Sequence, residues 1–264
     1  MTSPLFSIII PTFNAAKTLS ASLESVINQS CQQFELLIVD GISTDDTLSV
    51  VKKYAALSAN IKWVSEKDNG IYDAMNKSIK MAKGEWLFFL GSDVALYSTE
   101  VLKQLAAFIK EDNLVEVIYG NVHSKRFDGF YDGVFTTKKI LDQNICHQAI
   151  FLRKTVFEKV GDFNLKYKAQ ADWDHNLKWF LSKKVEKKYF DIVIADYEDG
   201  GFSSVHGDYF FNRDKRLNYI CYGHETLSWG RKYSILQYEF LKSIKNLDFE
   251  KTKAVLRHLK FLFI

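Results

Sequence analysis

Cysteine is scarce in this chain of 264 residues. Its three cysteines, Cys31, Cys146 and Cys221, are far apart, odd in number and form no CxxC pair. Disulfide frameworks and cysteine-based zinc sites both need closely patterned cysteines. The sequence supports neither, and a reducing compartment is the expected location.

Proline is rarer still, with two residues that both lie within the first 11 positions. There is no Pro/Gly-rich linker, no internal repeat and no low-complexity segment. At this length one sizeable core is expected. We therefore predict one catalytic-size domain with appendages.

Net charge is also nearly absent, because 35 Lys and Arg stand against 32 Asp and Glu, giving +3. No global basic field argues for nucleic acid as a partner. Residues 231–264 are the exception, with eight basic and three acidic side chains and a net charge of +5. Basic character is concentrated in this tail.

Long apolar runs are missing as well. No stretch approaches the roughly 18 uncharged apolar residues of a spanning helix, and the opening MTSPLFSIII lacks the basic region of a signal peptide. We expect a soluble or peripheral protein. No GxGxxG follows the first predicted strand, where PTFNAAKT stands instead, which argues against an NAD-type protein.

Strands and helices alternate in the first 90 or so residues. Apolar runs predict strands at 5–11, 34–40, 61–65 and 86–91, and three- and four-residue spacings predict helices at 15–29, up to about 57, and 71–82. Ser43 or Thr44 is the predicted cap of the second helix, and Gly84 the left-handed cap of the third. This rhythm is typical of a parallel, three-layer α/β/α sandwich.

The second half predicts a smaller mixed sheet. Its predicted elements are a helix at 99–110, strands at 115–123 and 190–196, strand-like pieces at 127–137 and 147–153, a helix at 169–183, a helix at 208–222 and two amphipathic helices in the tail. Ligands of such sheets bind at the carboxyl ends of strands. Thr12, Asp40, the SEKDNG loop and Asp93 are therefore expected to gather there.

Four motifs carry a family resemblance: SIIIPTFN, ELLIVDGISTDDT, DNGIYDAMNKSIKMAKGEWLFFLGSD and HQAIFLRKTVFEKVGDFNLKYKAQADWD. In this order, over residues 5–206, the chain resembles the family 2 glycosyltransferases with the GT-A fold, in particular the bacterial branch that builds exopolysaccharide and O-antigen repeats. The resemblance implies a glycosyltransferase domain at 1–206, with a nucleotide-binding half at 1–97 and an acceptor half at 98–206, followed by a helical extension at 207–264. It also implies inverting transfer from a nucleotide-diphospho-sugar to a saccharide acceptor, and we expect the donor to be a UDP-sugar.

The resemblance also implies the binding residues. Asp40 would accept the imide N–H of the base. The polar run on the loop after the third predicted strand would form one wall of the nucleotide pocket, and the start of the helix that follows it attracts phosphate. The alternative is that Thr12 and Asp40 cap helices and that the run is a solvated loop. The implied set is Pro11, Thr12, Asn14, Asp40, Ser43, Asp68, Gly70, Tyr72, Asn76, Ser92, His147 and Gln148.

GSDV stands where the family usually has two adjacent acids that hold a divalent ion. Asp93 matches and Val94 departs. Mn²⁺ or Mg²⁺ can use one carboxylate, with phosphates and waters as further ligands. Ser92 or His206 would supply another ligand. His206 lies in the loop GGFSSVHG, which resembles a lid over the donor. The alternatives are that Asp93 caps a helix and that GGFSSVHG is a plain Gly-rich turn.

KAQADWD supplies the predicted catalytic base. By resemblance Asp172 takes the proton of the attacking hydroxyl, and Ala171 replaces the usual glutamate. The alternative for Asp172 is an acid favoured by the helix dipole. His147 and Gln148 would orient acceptor or diphosphate, although a lone histidine is as often a core residue.

The tail pairs two apolar stripes, Leu236, Phe240, Ile244 and Leu256, Leu259, Phe263, with basic side chains. Such helices bind anionic membrane surfaces. The family's acceptors are sugars on polyprenyl diphosphate, so we expect a cytoplasmic enzyme, peripheral on the inner face of the membrane. Packing on the core and a homodimer are the alternatives for the tail.

A different class of function is a catalytically inactive sugar-nucleotide-binding scaffold of an assembly complex. Val94 and Ala171, both at positions where an acid is usual, favour it.

Overall fold

The computed structural model describes residues 3–124, 129–197 and 207–263. Within these ranges the strands are β1 (Phe6–Thr12), β2 (Phe34–Asp40), β3 (Ile61–Ser65), β4 (Trp86–Phe89), β5 (Ala95–Leu96), β6 (Val117–Ser124), β7 (Gly129–Tyr131), β8 (Ile150–Arg153) and β9 (Lys187–Asp196). The helices are α1 (Leu19–Ile27), α2 (Thr47–Leu57), α3 (Ile71–Met81), α4 (Val101–Glu111), α5 (Lys139–Asp142), α6 (Lys154–Val160), α7 (Ala171–Leu181), α8 (Tyr209–Tyr222), α9 (Trp229–Lys245) and α10 (Phe249–His258).

The described strands form one continuous sheet in the order β3-β2-β1-β4-β8-β6-β9-β5, with β7 beside β6. β1 is parallel to β2 and β4, and β2 to β3, as predicted for the first half. β8 is antiparallel to both β4 and β6, so β6 and its parallel neighbour β9 run in the same direction as β4. The carboxyl ends of β1, β2, β4, β6 and β9 therefore lie at one edge of the sheet.

Alternating side chains of the buried strands feed two cores, one on each face of the sheet. Ile8 and Ile10 pack with the apolar faces of α1, α2 and α4. Ile9 packs on the opposite face, with α3, α6, α7 and α8. The three-layer α/β/α architecture predicted from the sequence is confirmed.

The tail helices join the second core. Ile235 and Leu236 of α9 and Val255 of α10 are buried in it, and Lys251 of α10 pairs with the buried Glu239 of α9 at 3.0 Å. Leu236 belongs to an apolar stripe for which membrane contact was expected. It is 2% exposed, so this part of the stripe packs on the core, which was the alternative for the tail. The division at 206/207 stays a prediction.

Element boundaries differ from the sequence predictions in several places. α1 begins at Leu19 rather than near 15. Of the piece 127–137 only Gly129–Tyr131 is strand among the described residues. Residues 147–149 form a 3-10 turn ahead of β8, and β9 begins at Lys187, earlier than predicted.

Gly84 has a different role from the predicted one. Its φ does not lie in the left-handed region, so the predicted helix cap is wrong. A Cβ there would lie 2.5 Å from the main-chain nitrogen of Ser7 and 2.6 Å from the carbonyl carbon of Phe6. Its own N–H donates to the Ser7 hydroxyl at 2.8 Å. Glycine is required because the chain entering β4 passes directly against β1.

We expect Gly84→Ala to lower the free energy of unfolding by about 2 kcal/mol, since main-chain atoms of β1 cannot move aside. Gly230→Ala is the control, because nothing lies within 4 Å of a Cβ there and alanine favours a helix. Urea denaturation of both variants checks this. Equal midpoints for Gly84→Ala and the wild type would contradict the close approach.

Candidate active site

Loops after β1 and β2 are joined at the carboxyl edge of the sheet. The main-chain N–H of Asn14 donates to Ser43 Oγ at 2.8 Å, and Asn14 Oδ1 accepts the N–H of Thr44 at 2.9 Å. Asn14 adopts a φ of +51° and Ile42 a φ of +61°. Left-handed backbone at a β-branched residue is uncommon and is found where the surroundings enforce it. These two loops form one locally strained surface.

Asp40 is the centre of this surface and is fully buried. Its carboxylate accepts hydrogen bonds from the hydroxyls of Ser65 at 2.6 Å and Thr12 at 3.5 Å, and from both the hydroxyl and the N–H of Ser43. These donors come from three strand ends. Asp40 therefore orders the loops, and its predicted contact with a nucleotide base stays a prediction.

The predicted cap of α2 is wrong. Ser43 bonds to Asp40, and α2 begins four residues later, at Thr47. The N-cap residue is Asp46, which makes no side-chain cap bond, and Asp45 before it accepts the N–H of Thr47 at 3.0 Å.

Phe13 is a residue that the sequence prediction missed. Its ring is 64% exposed directly after buried β1, whose Pro11 and Thr12 are buried. The sequence did indicate this exposure, because an aromatic side chain between a buried strand and a turn cannot pack in the core. Phe13 and the exposed Ile42 give the loop surface an apolar component.

The loop after β3 lies against the same surface. Asp68 accepts the N–H of Gly70 at 2.8 Å, and a Cβ on Gly41 would lie 2.5 Å from Asp68 Oδ2. Gly70, with a φ of +111°, then starts α3. Asp68 and Gly70 thus lie beside the loops after β1 and β2, as predicted.

Asn76 bonds to the main chain of Phe163. Its amide donates to the carbonyl of Phe163 at 2.9 Å and accepts the N–H of Phe163 at 3.0 Å. Asn76 therefore holds the segment that leads into α7, and its predicted contact with substrate stays a prediction.

Asp93 is exposed two residues beyond Gly91, and Ser92 is half-buried. Val94, where the family's second acid is expected, is 3% exposed and packs in the first core. A Cβ on Gly91 would lie 2.7 Å from Asp93 Oδ1 and 2.9 Å from Gln148 Nε2. Glycine at 91 therefore lets Asp93 and Gln148 approach each other.

No group of three His, Cys, Asp or Glu side chains that could hold a metal ion exists among the described residues. His206 and the rest of GGFSSVHG up to His206 lie outside them. A single exposed carboxylate, Asp93, fits an ion whose other ligands come from a diphosphate and water.

Gln148 and His147 connect Gly91 to Asp172. Gln148 is 3% exposed; its Oε1 accepts the N–H of Gly91 at 2.9 Å, and its Nε2 donates to His147 Nε2 at 2.8 Å. This bond leaves His147 Nδ1 to face Asp172 Oδ2 at 3.7 Å. The predicted residues Asp93, Gln148, His147 and Asp172 therefore lie along one wall of the candidate active site.

Asp172 lies in the first turn of α7 and is 8% exposed. Its Oδ1 accepts the hydroxyl of Tyr72 at 2.8 Å, and its Oδ2 accepts the Asn144 amide at 2.8 Å. Burial and the charge of Asp172 raise the pKa of Tyr72 well above its usual range, so Tyr72 stays a donor. These two bonds fix the orientation of the carboxylate.

Asn144 was missed as a functional residue. Its carbonyl oxygen accepts the Asn176 amide at 2.9 Å, and Asn176 in turn accepts the Trp179 indole N–H at 2.9 Å. The only sequence signal was a polar residue just ahead of ICHQ. α7 thus positions Asp172 and, through Asn176, one of its hydrogen-bond donors.

A small cavity lies beneath this wall, with a volume of about 10 Å³. Its lining combines apolar side chains such as Phe89 and Leu152 with His147, Asp172 and His175. His175 is fully buried, stacks on Phe157 at 4.7 Å, and its Nδ1 has no partner in the described structure. Burial, reinforced by the charge of Lys178, lowers the pKa of His175 to about 3.

The sequence model of "Glycosyl transferase family 2" matches residues 7–176, which include the carboxyl ends of β1, β2, β3, β4 and β6 and the acid of α7 described above. The chain belongs to this family. The predicted family membership is confirmed, and the protein is a glycosyltransferase.

Named relatives agree with this assignment. This family 2 glycosyltransferase is 41% identical over 208 residues to a "PGL/p-HBAD biosynthesis glycosyltransferase" of Mycobacterium bovis, covering 78% of this chain and 81% of the relative. It is 29% identical over 180 residues to an Escherichia coli chondroitin synthase, covering 66% of this chain and 26% of the synthase.

Two solved structures share the fold. S. aureus TarS 1-349 in complex with UDP-GlcNAc has a TM-score of 0.67 at 21% identity, with 97% of this chain and 80% of that chain covered. A Pyrobaculum calidifontis mannosyltransferase in complex with GDP-Man and Mn²⁺ has a TM-score of 0.60 at 15% identity, with 98% and 75% covered. The GT-A fold is thereby confirmed.

The low pKa of His175 predicts a pH dependence of stability. A folded pKa below the unfolded value of 6.5 gives a contribution that is complete above pH 6.5 and is lost as the pH falls through 3. Between pH 7 and 4 we expect the wild type to lose about 3 kcal/mol more than His175→Gln. Urea unfolding at both pH values measures this.

His258→Gln is the control, because His258 lies half-buried at the end of α10. We expect this variant to keep the wild-type pH dependence. A His175→Gln protein whose stability changes with pH as much as the wild type's would show that the buried imidazole does not titrate as inferred.

Proposed function

We propose that this glycosyltransferase moves a sugar from a UDP-sugar to a hydroxyl of a saccharide acceptor, with inversion at the anomeric carbon. The observation that supports it is the wall formed by exposed Asp93, Gln148, His147 and Asp172 at the carboxyl edge of the sheet. A carboxylate for the donor's leaving group and a carboxylate for the acceptor's proton are thereby provided side by side.

Asp172 is the proposed base. An inverting transfer needs a proton acceptor within hydrogen-bond reach of the attacking hydroxyl, opposite the leaving diphosphate. Tyr72 and Asn144 each bind one oxygen of Asp172, and each oxygen retains a second lone pair. The two donors fix the direction in which that lone pair points. His147, at 3.7 Å, is the neighbour best placed to orient the acceptor or the diphosphate.

The donor's nucleotide is proposed to occupy the surface of the loops after β1, β2 and β3. Phe13 and Ile42 give this surface exposed apolar area for a base, and the N-terminus of α3 after Gly70 favours phosphate oxygens. TarS, which shares the fold, was crystallised with UDP-GlcNAc. That is the support for a uridine nucleotide here.

A divalent ion, Mn²⁺ or Mg²⁺, is proposed to be held by Asp93 together with the donor diphosphate, with Ser92 or His206 as a further contact. When bound, such an ion neutralises negative charge that develops on the leaving diphosphate. The fold's occurrence with Mn²⁺ in the archaeal mannosyltransferase supports this proposal.

The two positions that lack a family acid do not argue for an inactive scaffold. Val94 is 3% exposed and Ala171 is fully buried. Side chains there pack in the cores, so neither substitution removes a carboxylate from the described wall. Membership of a family whose relatives are named as glycosyltransferases also makes this chain an enzyme.

The identity of the acceptor and of the pathway goes beyond what the comparisons show, and both are part of this proposal. The resemblance to the exopolysaccharide and O-antigen branch suggests a polyprenyl-diphosphate-linked repeat unit. The mycobacterial relative is named for PGL/p-HBAD biosynthesis instead. A saccharide acceptor carried on a lipid is the proposal we retain, and a homodimer stays a prediction.

Asp172→Asn and Asp93→Asn are expected to lower UDP release by on the order of 100-fold, the first by removing the base and the second by removing the metal carboxylate. Purified protein is incubated with a panel of UDP-sugars, Mn²⁺ and acceptor saccharides, and UDP is quantified. Asp142→Asn, an exposed acid of α5, is the control. Wild-type rates in the Asp172→Asn protein would remove the base assignment.

Contact with an anionic membrane is proposed for the tail. No helix of the described residues is apolar and long enough to cross a bilayer. α9 and the turn after it expose Trp229, Tyr233, Ile244 and Leu247, at 56%, 44%, 50% and 76%. Phe263 follows at 85%. With a net charge of +5 over residues 231–264, this exposed apolar surface suits acidic headgroups.

A variant with Ile244→Ser and Leu247→Ser is expected to cosediment severalfold less with phosphatidylglycerol vesicles, because apolar insertion is lost. Leu57→Ser, at an equally exposed leucine of α2, is the control. Vesicles of phosphatidylcholine alone should bind neither protein well. Unchanged cosedimentation of the double variant would place the membrane contact elsewhere.

A further inference from the structure

Asp132 is a second buried acid near the wall, and neither the proposed chemistry nor the sequence motifs use it. It follows β7, is 9% exposed and adopts a φ of +98°. A non-glycine residue in this region is strained, and such strain persists only where the surroundings enforce it. Burial of its carboxylate also has a cost unless hydrogen bonds compensate.

The carboxylate of Asp132 binds both ends of one short segment. Oδ2 accepts the main-chain N–H of Cys146 at 2.7 Å, and Oδ1 accepts the side-chain amide of Gln143 at 3.5 Å. The ammonium of Lys139 donates to the main-chain carbonyl of Asp132. Residues 143–146 are therefore held against the turn that follows β7.

This segment carries the groups that surround the proposed base. Asn144, between the two residues that Asp132 binds, donates to Asp172, and His147 follows Cys146 directly. Asn144 is anchored from the α7 side by Asn176, at 2.9 Å. The Asp132 carboxylate binds Gln143 and Cys146, which flank Asn144 in the chain.

We propose that Asp132 is a positioning residue, whose carboxylate holds residues 143–146 so that Asn144 and His147 keep Asp172 in the orientation that accepts the acceptor's proton. It acts through these residues and does not itself touch the reacting atoms. The inference rests on the proposed role of Asp172.

The environment of Asp132 makes this role testable by pH. Burial raises the pKa of Asp132 to about 7. The titratable groups that face it are Lys139, whose charge opposes that rise, the Cys146 thiol and the Tyr119 hydroxyl. Burial and the charge of Asp132 raise the pKa of the Cys146 thiol and that of Tyr119. A protonated carboxyl is a weaker acceptor for the Cys146 N–H than the carboxylate, so positioning weakens as the pH falls through about 7.

The experiment compares Asp132→Ala, Asp132→Asn and the exposed control Asp142→Ala in UDP release from the UDP-sugar that the wild type uses. We expect Asp132→Ala to lower kcat about tenfold, as is usual for groups that orient a functional side chain, with the donor KM unchanged. Asp132→Asn retains an acceptor oxygen and should restore most of this loss. Its kcat should be below the wild-type value at pH 8 and equal to it at pH 6.

Hydrogen exchange supplies a readout that does not depend on turnover. Peptides spanning 139–149 should exchange faster in Asp132→Ala than in the wild type, and peptides from β1 and β2 should not. If Asp132→Ala fails to fold, the pH comparison of Asp132→Asn with the wild type decides alone.

Three results would overturn the inference: an unchanged kcat in Asp132→Ala, a rise in donor KM that accounts for the loss, or an Asp132→Asn protein whose ratio to the wild type does not vary with pH. Failure of the proposed function looks different. In that case Asp172→Asn would retain activity, or the wild type would use no UDP-sugar, while the exchange of residues 139–149 would still report whether Asp132 holds the segment.

Discussion

The need to compensate the buried carboxylate of Asp172 is the constraint on which the site depends. A carboxyl group that is 8% exposed has lost most of its contact with water and needs hydrogen-bond partners within the protein. Its two donors, Tyr72 and Asn144, come from positions 100 and 28 residues earlier in the chain. Satisfying this one group therefore fixes α3, the segment at 143–146 and α7 relative to each other.

The sheet supplies the second requirement, which is that the donor loops and Asp172 meet. β6 and β9 run in the same direction as β4, although an antiparallel strand separates them from it. Their ends therefore join the edge at which Asp40 and Asp93 already lie. Glycines at 41 and 91 then allow the neighbouring loops to approach, since a Cβ at either would collide with a functional side chain.

Much of this was predictable from local sequence. The runs at 5–11 and 34–40 indicate two buried strands because they are too short for a buried helix, and Thr12 and Asp40 at their ends were predicted to lie at the sheet's edge. The motif order predicted the family and, through it, Asp93, His147, Gln148 and Asp172 as one site. Gly84 and Ser43 were misassigned as helix caps, because each has a local role that its residue type suggests and a distant partner, Ser7 and Asn14 respectively, that the sequence does not show.

The sequence by itself determined the alternation of strands and helices, the family and the residue types available at the strand ends, since these follow from periodicities and motifs within about 15 neighbouring residues. Tertiary structure alone decided which polar groups are used to bind each other and which are free. Asp40 is enclosed while Asp93 is exposed, and Asn144, which lies outside the motifs, joins the motif residue Tyr72 in binding Asp172. The physical reason is that a hydrogen bond joins atoms within about 3 Å, and only the folded chain brings residues so distant in sequence to that separation.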